Sequence, residues 1–69
     1  MDYHIDFETR EQKERAWNVL YREFANLNYY RVNYNDVTLT IGNGYEDFGS
    51  GQMRAIQICE DLGGKVRKF

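Results

Sequence analysis

The chain has 69 residues, a formal net charge of −2 at pH 7 and one cysteine. This length fits a single domain over residues 1–69. One cysteine excludes an intrachain disulfide, and no apolar run approaches the about 20 residues of a membrane span. We therefore expect a cytoplasmic protein without a membrane partner. The slightly negative charge, with both signs interspersed, also excludes the strongly basic surface that usually marks a binder of the phosphate backbone.

Strand one is predicted from an alternating pattern at the start of the chain. Apolar residues at positions 3, 5 and 7 alternate with polar residues at positions 2, 4 and 6, which is the period of a half-buried strand. The polar side chains, Asp2, His4 and Asp6, are of types that bind metals, but alternate residues stand in a row about 6.5 Å apart and do not converge on one ion. Charge pairing with a final strand accounts for them better, and no metal or cofactor is expected. If strand four pairs with strand one, one of the plausible registers places Asp6 opposite Lys65 and His4 opposite Arg67.

Residues 9–27 form the longest periodic segment and predict the first helix. Thr9 is a candidate N-cap, and Gln12 can reach back to complete a capping box. Apolar residues recur at intervals of three and four and form a stripe that must be buried, namely Trp17, Leu20, Tyr21, Phe24 and Leu27. The opposite face carries charges of both signs and is expected to be solvated. Its members are Arg10, Lys13, Glu14, Arg22 and Glu23.

Two runs of β-branched and aromatic residues, 29–34 and 37–41, predict strands two and three. Only Asn35 and Asp36 separate them, and both residues tolerate the backbone conformations of a tight hairpin turn. A two-residue loop sets the register. It pairs Tyr34 with Val37, Val32 with Leu39 and Tyr30 with Ile41 on the core face. On the other face it pairs Asn33 with Thr38 and Arg31 with Thr40.

The rest of the chain predicts a loop, a second helix and a last strand. Residues 42–51 are glycine-rich and favour a loop, with a fourth short strand at 45–48 as the alternative. Ser50 is a candidate cap for the second helix, which Gly63 and Gly64 end. The apolar face of this helix consists of Ala55, Ile56, Cys59 and Leu62, with Ile58 at its flank. Residues 65–69 predict the final strand.

The order β-α-β-β-α-β predicts an α+β, ferredoxin-like fold with an antiparallel sheet in the order 4-1-3-2 and both helices on one face. Strands two and four are then the edges. Strand four carries Lys65, Arg67 and Lys68, whose charges discourage pairing with another strand. Strand two contains no Pro or Lys, so a partner protein's strand can add to it, and a second copy can pair with it to form a homodimer.

A candidate partner-binding surface follows from the chain directions. The starts of strands one and two, the glycine-rich loop and the C-terminus are expected at one end of the sheet, where tyrosines on Gly and Asn backbone are typical of protein-binding surfaces. Together with the strand-two edge, the predicted partner-binding residues are Tyr29, Arg31, Asn33, Tyr45, Glu46, Asp47 and Phe48. The alternative is that Tyr45 and Phe48 fold back to fill the core.

No catalytic signature is found in this sequence. Cys59 lies on an apolar helix face and is expected to be an inert core thiol, and Glu46 and Asp47 are adjacent rather than placed across a cleft. The leading hypothesis is a small non-enzymatic protein-binding module, comparable in size and composition to phage or mobile-element inhibitors of host defence complexes, such as anti-CRISPR proteins. The alternative is a single-stranded nucleic-acid-binding domain, since RNA-recognition domains share the topology, although acids occupy the outer face where rings would be needed.

Overall fold

The computed structural model describes residues 2–42 and 47–68, so the predictions at Tyr45 and Glu46 lie outside the described residues. An antiparallel four-stranded sheet is combined with helices, which confirms the α+β class. The strands are β1 (Tyr3–Asp6), β2 (Asn33–Asn35), β3 (Thr38–Ile41) and β4 (Lys65–Lys68). The helices are α1 (Arg10–Glu23), α2 (Tyr29–Val32) and α3 (Gln52–Asp61), and a 3-10 turn at Gly49–Gly51 precedes α3. The helix α2 was not predicted and interrupts the expected element order.

The strands follow the order β2-β3-β1-β4, and each neighbouring pair is antiparallel. Asp6 lies opposite Lys65 and His4 opposite Arg67, as the charge pattern predicts. Tyr3 lies opposite Ile41 in β3 and opposite Lys68 in β4. The start of β1 and the ends of β3 and β4 therefore share one end of the sheet.

The first helix begins at the predicted residue and ends earlier than predicted. The Thr9 hydroxyl oxygen accepts a hydrogen bond from the Gln12 amide at 3.1 Å, and the Gln12 side-chain oxygen accepts from the Glu8 amide at 3.0 Å. This is a capping box in which Gln12 reaches one residue further back than usual. The helix α1 ends at Glu23, and Leu27 enters the core from the turn that follows. The prediction that the helix continues to Leu27 was wrong.

The buried stripe of α1 is rotated relative to its predicted position. Its fully or nearly fully buried residues are Lys13, Ala16 and Leu20, at the spacing of one helix face. Trp17 lies at the border of this face, half-buried, whereas Tyr21 is mostly exposed. The prediction that Lys13 is solvated was wrong, because the α2–β2 segment packs over it and supplies polar partners.

The hairpin register differs from the predicted one. Asn28 caps α2 by accepting a hydrogen bond from the Tyr30 amide at 2.8 Å, so residues 29–32 are helical and β2 begins only at Asn33. Asn33 pairs with Leu39 rather than Thr38, and an irregularity lies between Asn33 and Asn35. Since a slip of one residue exchanges the faces of a strand, Tyr34 lies on the outer face rather than in the core.

The second predicted helix corresponds to α3. Ser50 lies in the preceding 3-10 turn and does not cap α3, whose N-cap is Gly51 without a side-chain hydrogen bond, so the prediction for Ser50 was wrong. The helix ends as predicted: Gly63 has a positive φ of 96°, and the Gly64 amide donates to the Cys59 carbonyl at 2.9 Å. The buried residues of α3 are Ala55, Ile56, Ile58 and Cys59.

The end of the glycine-rich segment contributes to the core. Phe48 is 4% exposed and packs edge-to-face against Phe24, with ring centroids 5.2 Å apart. It fills the core, as the alternative interpretation proposed, and is not a surface contact residue. Residues 47–48 form a turn rather than the end of a fourth strand. In the described part of the chain, none of the helices has the length and apolar character needed to cross a membrane.

Candidate protein-binding surface

Four aromatic side chains from α1 and α2 form a continuous row at the surface, called here the aromatic row. In spatial order they are Tyr21, Trp17, Tyr29 and Tyr30, with successive ring centroids 5.5, 5.1 and 6.0 Å apart. Tyr30 is 90% exposed and Tyr21 is 54% exposed, whereas the two central rings are half-buried. The row therefore has a packed centre and two ends that project into solvent.

Local sequence explains how the two helices place these rings together. Trp17 and Tyr21 are four residues apart on α1, a spacing that stacks their side chains on one face. The cap at Asn28 starts α2 immediately before the two tyrosines, and Tyr29 then meets Trp17 edge-to-face while Tyr30 points away from the core. The row is thus built from one helical spacing and one side-chain cap.

A buried polar cluster lies behind the centre of the row. The ammonium group of Lys13, whose residue is 2% exposed, donates to the Tyr29 hydroxyl oxygen at 3.3 Å and to the Asn35 carbonyl at 3.1 Å. It also donates to the Asn33 side-chain oxygen at 2.5 Å. Three acceptors thus match its three N–H groups. The Tyr29 hydroxyl in turn donates to Glu14 at 3.2 Å, and this carboxylate lies 3.9 Å from the ammonium nitrogen.

This cluster satisfies a cation that would otherwise be costly to bury. An ammonium group removed from water is stable only when its hydrogen bonds are replaced and an opposite charge is near, and Lys13 meets both conditions. Its nitrogen also lies 5.7 Å from the centroid of the Tyr29 ring, within the range of a cation–π contact. Tyr29 is therefore held both at its hydroxyl and at its ring.

Arg31 and Asp47, both predicted to bind a partner, bind each other. The Arg31 Nη2 lies 2.9 Å from Asp47 Oδ1, and its Nε donates to the same carboxylate. This two-pronged pair joins α2 to the turn before the 3-10 segment. The Arg31 side chain is exposed and that of Asp47 is only 17% exposed, and each charge is neutralised by the other.

The structure pairs Arg31 with Asp47 but places the other described partner-binding residues in different environments. Tyr29 belongs to the aromatic row, and the half-buried Asn33 side chain turns inward to Lys13. Phe48 belongs to the core, and Tyr45 and Glu46 lie outside the described residues. Of the predicted residues that the structure describes, only Tyr29 thus contributes a ring to the aromatic row.

No protein-family model matches this chain, and no curated protein or solved structure shows significant similarity to it. Function must therefore rest on the residues themselves.

The outer face of the sheet carries a second polar and aromatic cluster. Tyr34 packs on His4 with centroids 4.1 Å apart and covers that side chain, which is nearly fully buried. Asp6 forms a two-pronged ion pair with Arg67 and accepts from the Thr38 hydroxyl at 2.7 Å. Burial, and then the nearby Arg67 charge, lower the pKa of His4, while hydrogen bonds from Arg67 and Thr38 lower the pKa of Asp6.

Cys59, the one cysteine of the chain, is not suited to act as a nucleophile. The Cys59 thiol is fully buried, and desolvation, with a smaller contribution from Glu60, raises its pKa to about 12. It is therefore protonated at neutral pH and inaccessible, which is unsuitable for a nucleophile. Within residues 2–42 and 47–68, His, Cys, Asp and Glu side chains form no group of three or more that could hold a metal ion.

Sequence reasoning missed the aromatic row because it placed Trp17 and Tyr21 on the buried stripe and Tyr30 in a strand. One signal was present. Eleven of the 69 residues are aromatic (16%), which is more ring volume than a core of this size accommodates, so some rings had to be exposed. Which rings these are depends on the rotation of α1 and on the helical start of the hairpin, and neither was predicted.

Proposed function

We propose that this chain is a non-enzymatic protein-binding module that docks through the aromatic row. The observation that carries the proposal is the 90% exposure of Tyr30 at the end of a row that is continuous with the only tryptophan of the chain. Tyr and Trp are enriched at the centres of protein interfaces, because they provide a large contact area and lose few rotamers on binding. An isolated exposed tyrosine would carry little weight, but a row of four with a packed centre resembles a preformed binding site.

The edge strand is assigned a smaller part in binding. β2 lies at an edge of the sheet, but it has only three residues and α2 precedes it directly. Strand addition there, by a partner or by a second copy in a homodimer, would form few backbone hydrogen bonds. The aromatic row offers more contact area and is therefore the principal proposed site.

The finer fold assignment and the biological role are also proposals. We interpret the fold as a ferredoxin-like arrangement with α2 inserted before β2, which the strand order and the contact between α1 and α3 support. An inhibitor of a host defence complex, comparable to anti-CRISPR proteins of phages, is our proposed role, supported by the small size and slightly acidic charge. A cytoplasmic location fits a single cysteine kept as a thiol.

The test compares two exposed tyrosines on different surfaces. Wild type, Tyr30→Ala and the control Tyr34→Ala are each immobilised and exposed to nuclease-treated lysate of the native host, and a captured protein is then purified and titrated against all three by calorimetry. We expect wild type and Tyr34→Ala to bind equally, and Tyr30→Ala to bind at least about tenfold more weakly, as for an interface hot spot. Equal binding by Tyr30→Ala and wild type would refute the aromatic row as the site.

A second candidate function is favoured by the position of Tyr34. This ring is 60% exposed on the outer face of the sheet, where the Arg67 guanidinium also lies, and nucleic-acid bases stack on both kinds of planar group. The function would be single-stranded nucleic-acid binding. Its test is the affinity for a fluorescent oligonucleotide, which should fall with rising salt and with Tyr34→Ala. Asp6 opposes this function, because it neutralises Arg67.

A further inference from the structure

Lys13 connects α1 to every part of the segment that carries the exposed end of the aromatic row. Its three acceptors belong to Tyr29, at the start of α2, and to Asn33 and Asn35, at the two ends of β2. One buried side chain therefore fixes the whole α2–β2 segment against α1. In the described part of the chain, Lys13 is the largest side chain that is fully buried.

The helix α2 needs such a contact because it cannot hold its own orientation. It has four residues, and isolated helices of fewer than about 12 residues are not stable in water. Val32, 1% exposed, anchors the apolar side of α2 in the core. The Arg31–Asp47 pair holds α2 to the turn before the 3-10 segment, and the hydrogen bond from Lys13 to Tyr29 ties the start of α2 to α1.

The same bond determines the geometry of the row. The Tyr29 hydroxyl accepts from Lys13 and donates to Glu14, so the far end of this ring is fixed at two points on α1. The fixed ring meets Trp17 at an interplanar angle of 78° and Tyr30 at 79°. The packing of Tyr29 on the Trp17 indole, and the position of Tyr30 relative to α1, thus depend on where the Tyr29 hydroxyl is held.

A buried cation is a costly way to join two segments if stability alone is needed. Apolar residues of similar volume often replace buried charged groups at no cost in stability, because charges must be desolvated and methylenes need not be. The ammonium group adds a geometric constraint, because its three hydrogen bonds form only when three acceptors converge on it. Its place behind Tyr29 thus indicates a role in orienting the row.

We propose that Lys13 is a positioning residue that preorganises the aromatic row, an inference that rests on the protein-binding function proposed above. Because Tyr29 is held before the partner arrives, binding does not have to order Tyr29 and Tyr30. The entropy loss of ordering these side chains is avoided, and the affinity is correspondingly higher. Lys13 itself does not contact the partner, because it is 2% exposed behind the row.

The test uses Lys13→Met, which keeps length and volume but removes the donors, and Tyr29→Phe, which keeps the ring but removes the hydroxyl. Lys65→Met, a change at an exposed lysine on β4, is the matched control. The first readout needs no partner. Acrylamide quenching and near-ultraviolet circular dichroism report on Trp17, the only tryptophan, in each variant at a temperature where its far-ultraviolet spectrum is that of the folded protein.

We expect greater quenching and an altered near-ultraviolet spectrum in Lys13→Met and Tyr29→Phe, and neither change in Lys65→Met. Affinity for the captured partner should fall about tenfold in either variant, the effect of ordering one or two side chains on binding. The double variant should fall no further, because both changes break one link. A folded Lys13→Met with wild-type Trp17 signals and affinity, and only a lower melting temperature, would overturn the proposal.

Two further outcomes also test the proposal: a Lys13→Met variant that does not fold, and an aromatic row that is not the binding site. If Lys13→Met fails to fold, two milder variants take its place: Tyr29→Phe, which removes the hydroxyl contacts with Lys13 and Glu14, and Asn33→Ser, which removes the amide oxygen that accepts from Lys13. Unchanged Trp17 signals in both variants would overturn the proposal. If the aromatic row is not the binding site, Tyr30→Ala keeps wild-type affinity while the Trp17 signals still respond to Lys13→Met. Failure of the proposed function is thus distinguished from failure of the positioning role.

Discussion

The indole of Trp17 lies edge-to-face against the ring of Tyr29, with centroids 5.1 Å apart and planes at 78°. This contact joins the middle of α1 to the first residue of α2, so the two halves of the aromatic row share one packed centre. Edge-to-face pairs of this kind contribute about 0.5–1.5 kcal/mol beyond the burial of area. The centre of the row is therefore part of the folded structure, and its ends are available for binding.

This division predicts different effects for the centre and for an end of the row. Trp17→Ala should lower the free energy of unfolding by about 2 kcal/mol, because the half-buried indole packs against the core. Tyr30→Ala should change it by less than about 0.5 kcal/mol, because its ring is almost entirely in solvent. Urea denaturation followed by far-ultraviolet circular dichroism measures both values. Equal losses would show that Tyr30 packs against the protein.

The buried position of Phe48 predicts a loss of stability rather than a selective loss of binding. Phe48→Ala removes a core ring that packs on Phe24, and it should lower the free energy of unfolding by about 3 kcal/mol. Met53→Ala, at a side chain that is mostly exposed on α3, serves as the control and should have little effect. Thermal denaturation distinguishes the two, and a Phe48→Ala protein as stable as wild type would contradict the placement of this ring.

Gly64 is expected to tolerate no side chain. A Cβ built there would overlap the Ile5 side chain and lie 3.0 Å from both the Cys59 carbonyl oxygen and the Phe7 ring. Gly64→Ala should therefore destabilise the protein by about 1–3 kcal/mol, the range for overpacking a core. Gly42→Ala is the matched control, since within residues 2–42 and 47–68 its new methyl group would meet only the flexible Asp2 carboxylate. Chemical denaturation should give the control a free energy of unfolding close to that of wild type. A Gly64→Ala protein more stable than Gly42→Ala would contradict the packing described at Gly64.

The lowered pKa of His4 predicts a stability that decreases in mild acid. In the unfolded chain this group titrates near its ordinary value of 6.5, and in the folded protein burial and Arg67 hold its pKa below that value, against the opposing effects of Asp6 and Asp2. Between the two pKa values the unfolded state binds more protons, so the free energy of unfolding falls as pH falls below about 6.5 and levels off below the folded pKa.

A second decrease is expected in stronger acid. Because Arg67 and Thr38 hold the pKa of Asp6 below its ordinary value of 3.8, its stabilising effect is full above that value and disappears as pH falls through the lower folded pKa. His4→Gln should remove the first decrease and keep the second. Urea denaturation at a series of pH values from 8 to 3 checks this, and a first decrease that persists in His4→Gln would assign it to another group.

Predictions made from local chemistry agreed with the structure. The capping of α1 by Thr9 involves residues within one turn, and the termination of α3 at Gly63 and Gly64 needs only a positive φ and no distant partner. The pairing of β1 with β4 was also expected from their opposite charges, and the structure has the register that was considered, although the Asp6 carboxylate pairs with Arg67 rather than with Lys65 directly opposite. Each of these signals is contained in a few residues that lie next to each other in the chain or directly across a strand pair.

The candidate site could not be predicted to the same extent. Tyr29 was predicted to bind a partner, which stays a prediction, whereas Trp17 and Tyr21 were expected in the core and Tyr30 in a strand. The errors have two sources. The buried face of α1 is centred on Lys13, Ala16 and Leu20 rather than on Trp17 and Tyr21, and the cap at Asn28 accompanies a helical turn at residues 29–32 that shifts the hairpin register. Both helix and strand were compatible with these residues locally, and packing decides between them.

The sequence by itself determined the α+β class, the N-terminal cap of α1 and the end of α3 at Gly63 and Gly64, because these depend on short-range hydrogen bonds, on backbone conformation and on periodic patterning. Only the tertiary structure decided that Lys13 is buried, that Tyr34 faces outward over His4 and that the aromatic row faces solvent. The burial of a charged side chain depends on whether acceptors converge on it, and the acceptors of Lys13 lie 16 to 22 residues away along the chain. No periodic pattern in the sequence records such a convergence, because it exists only once the segments are packed.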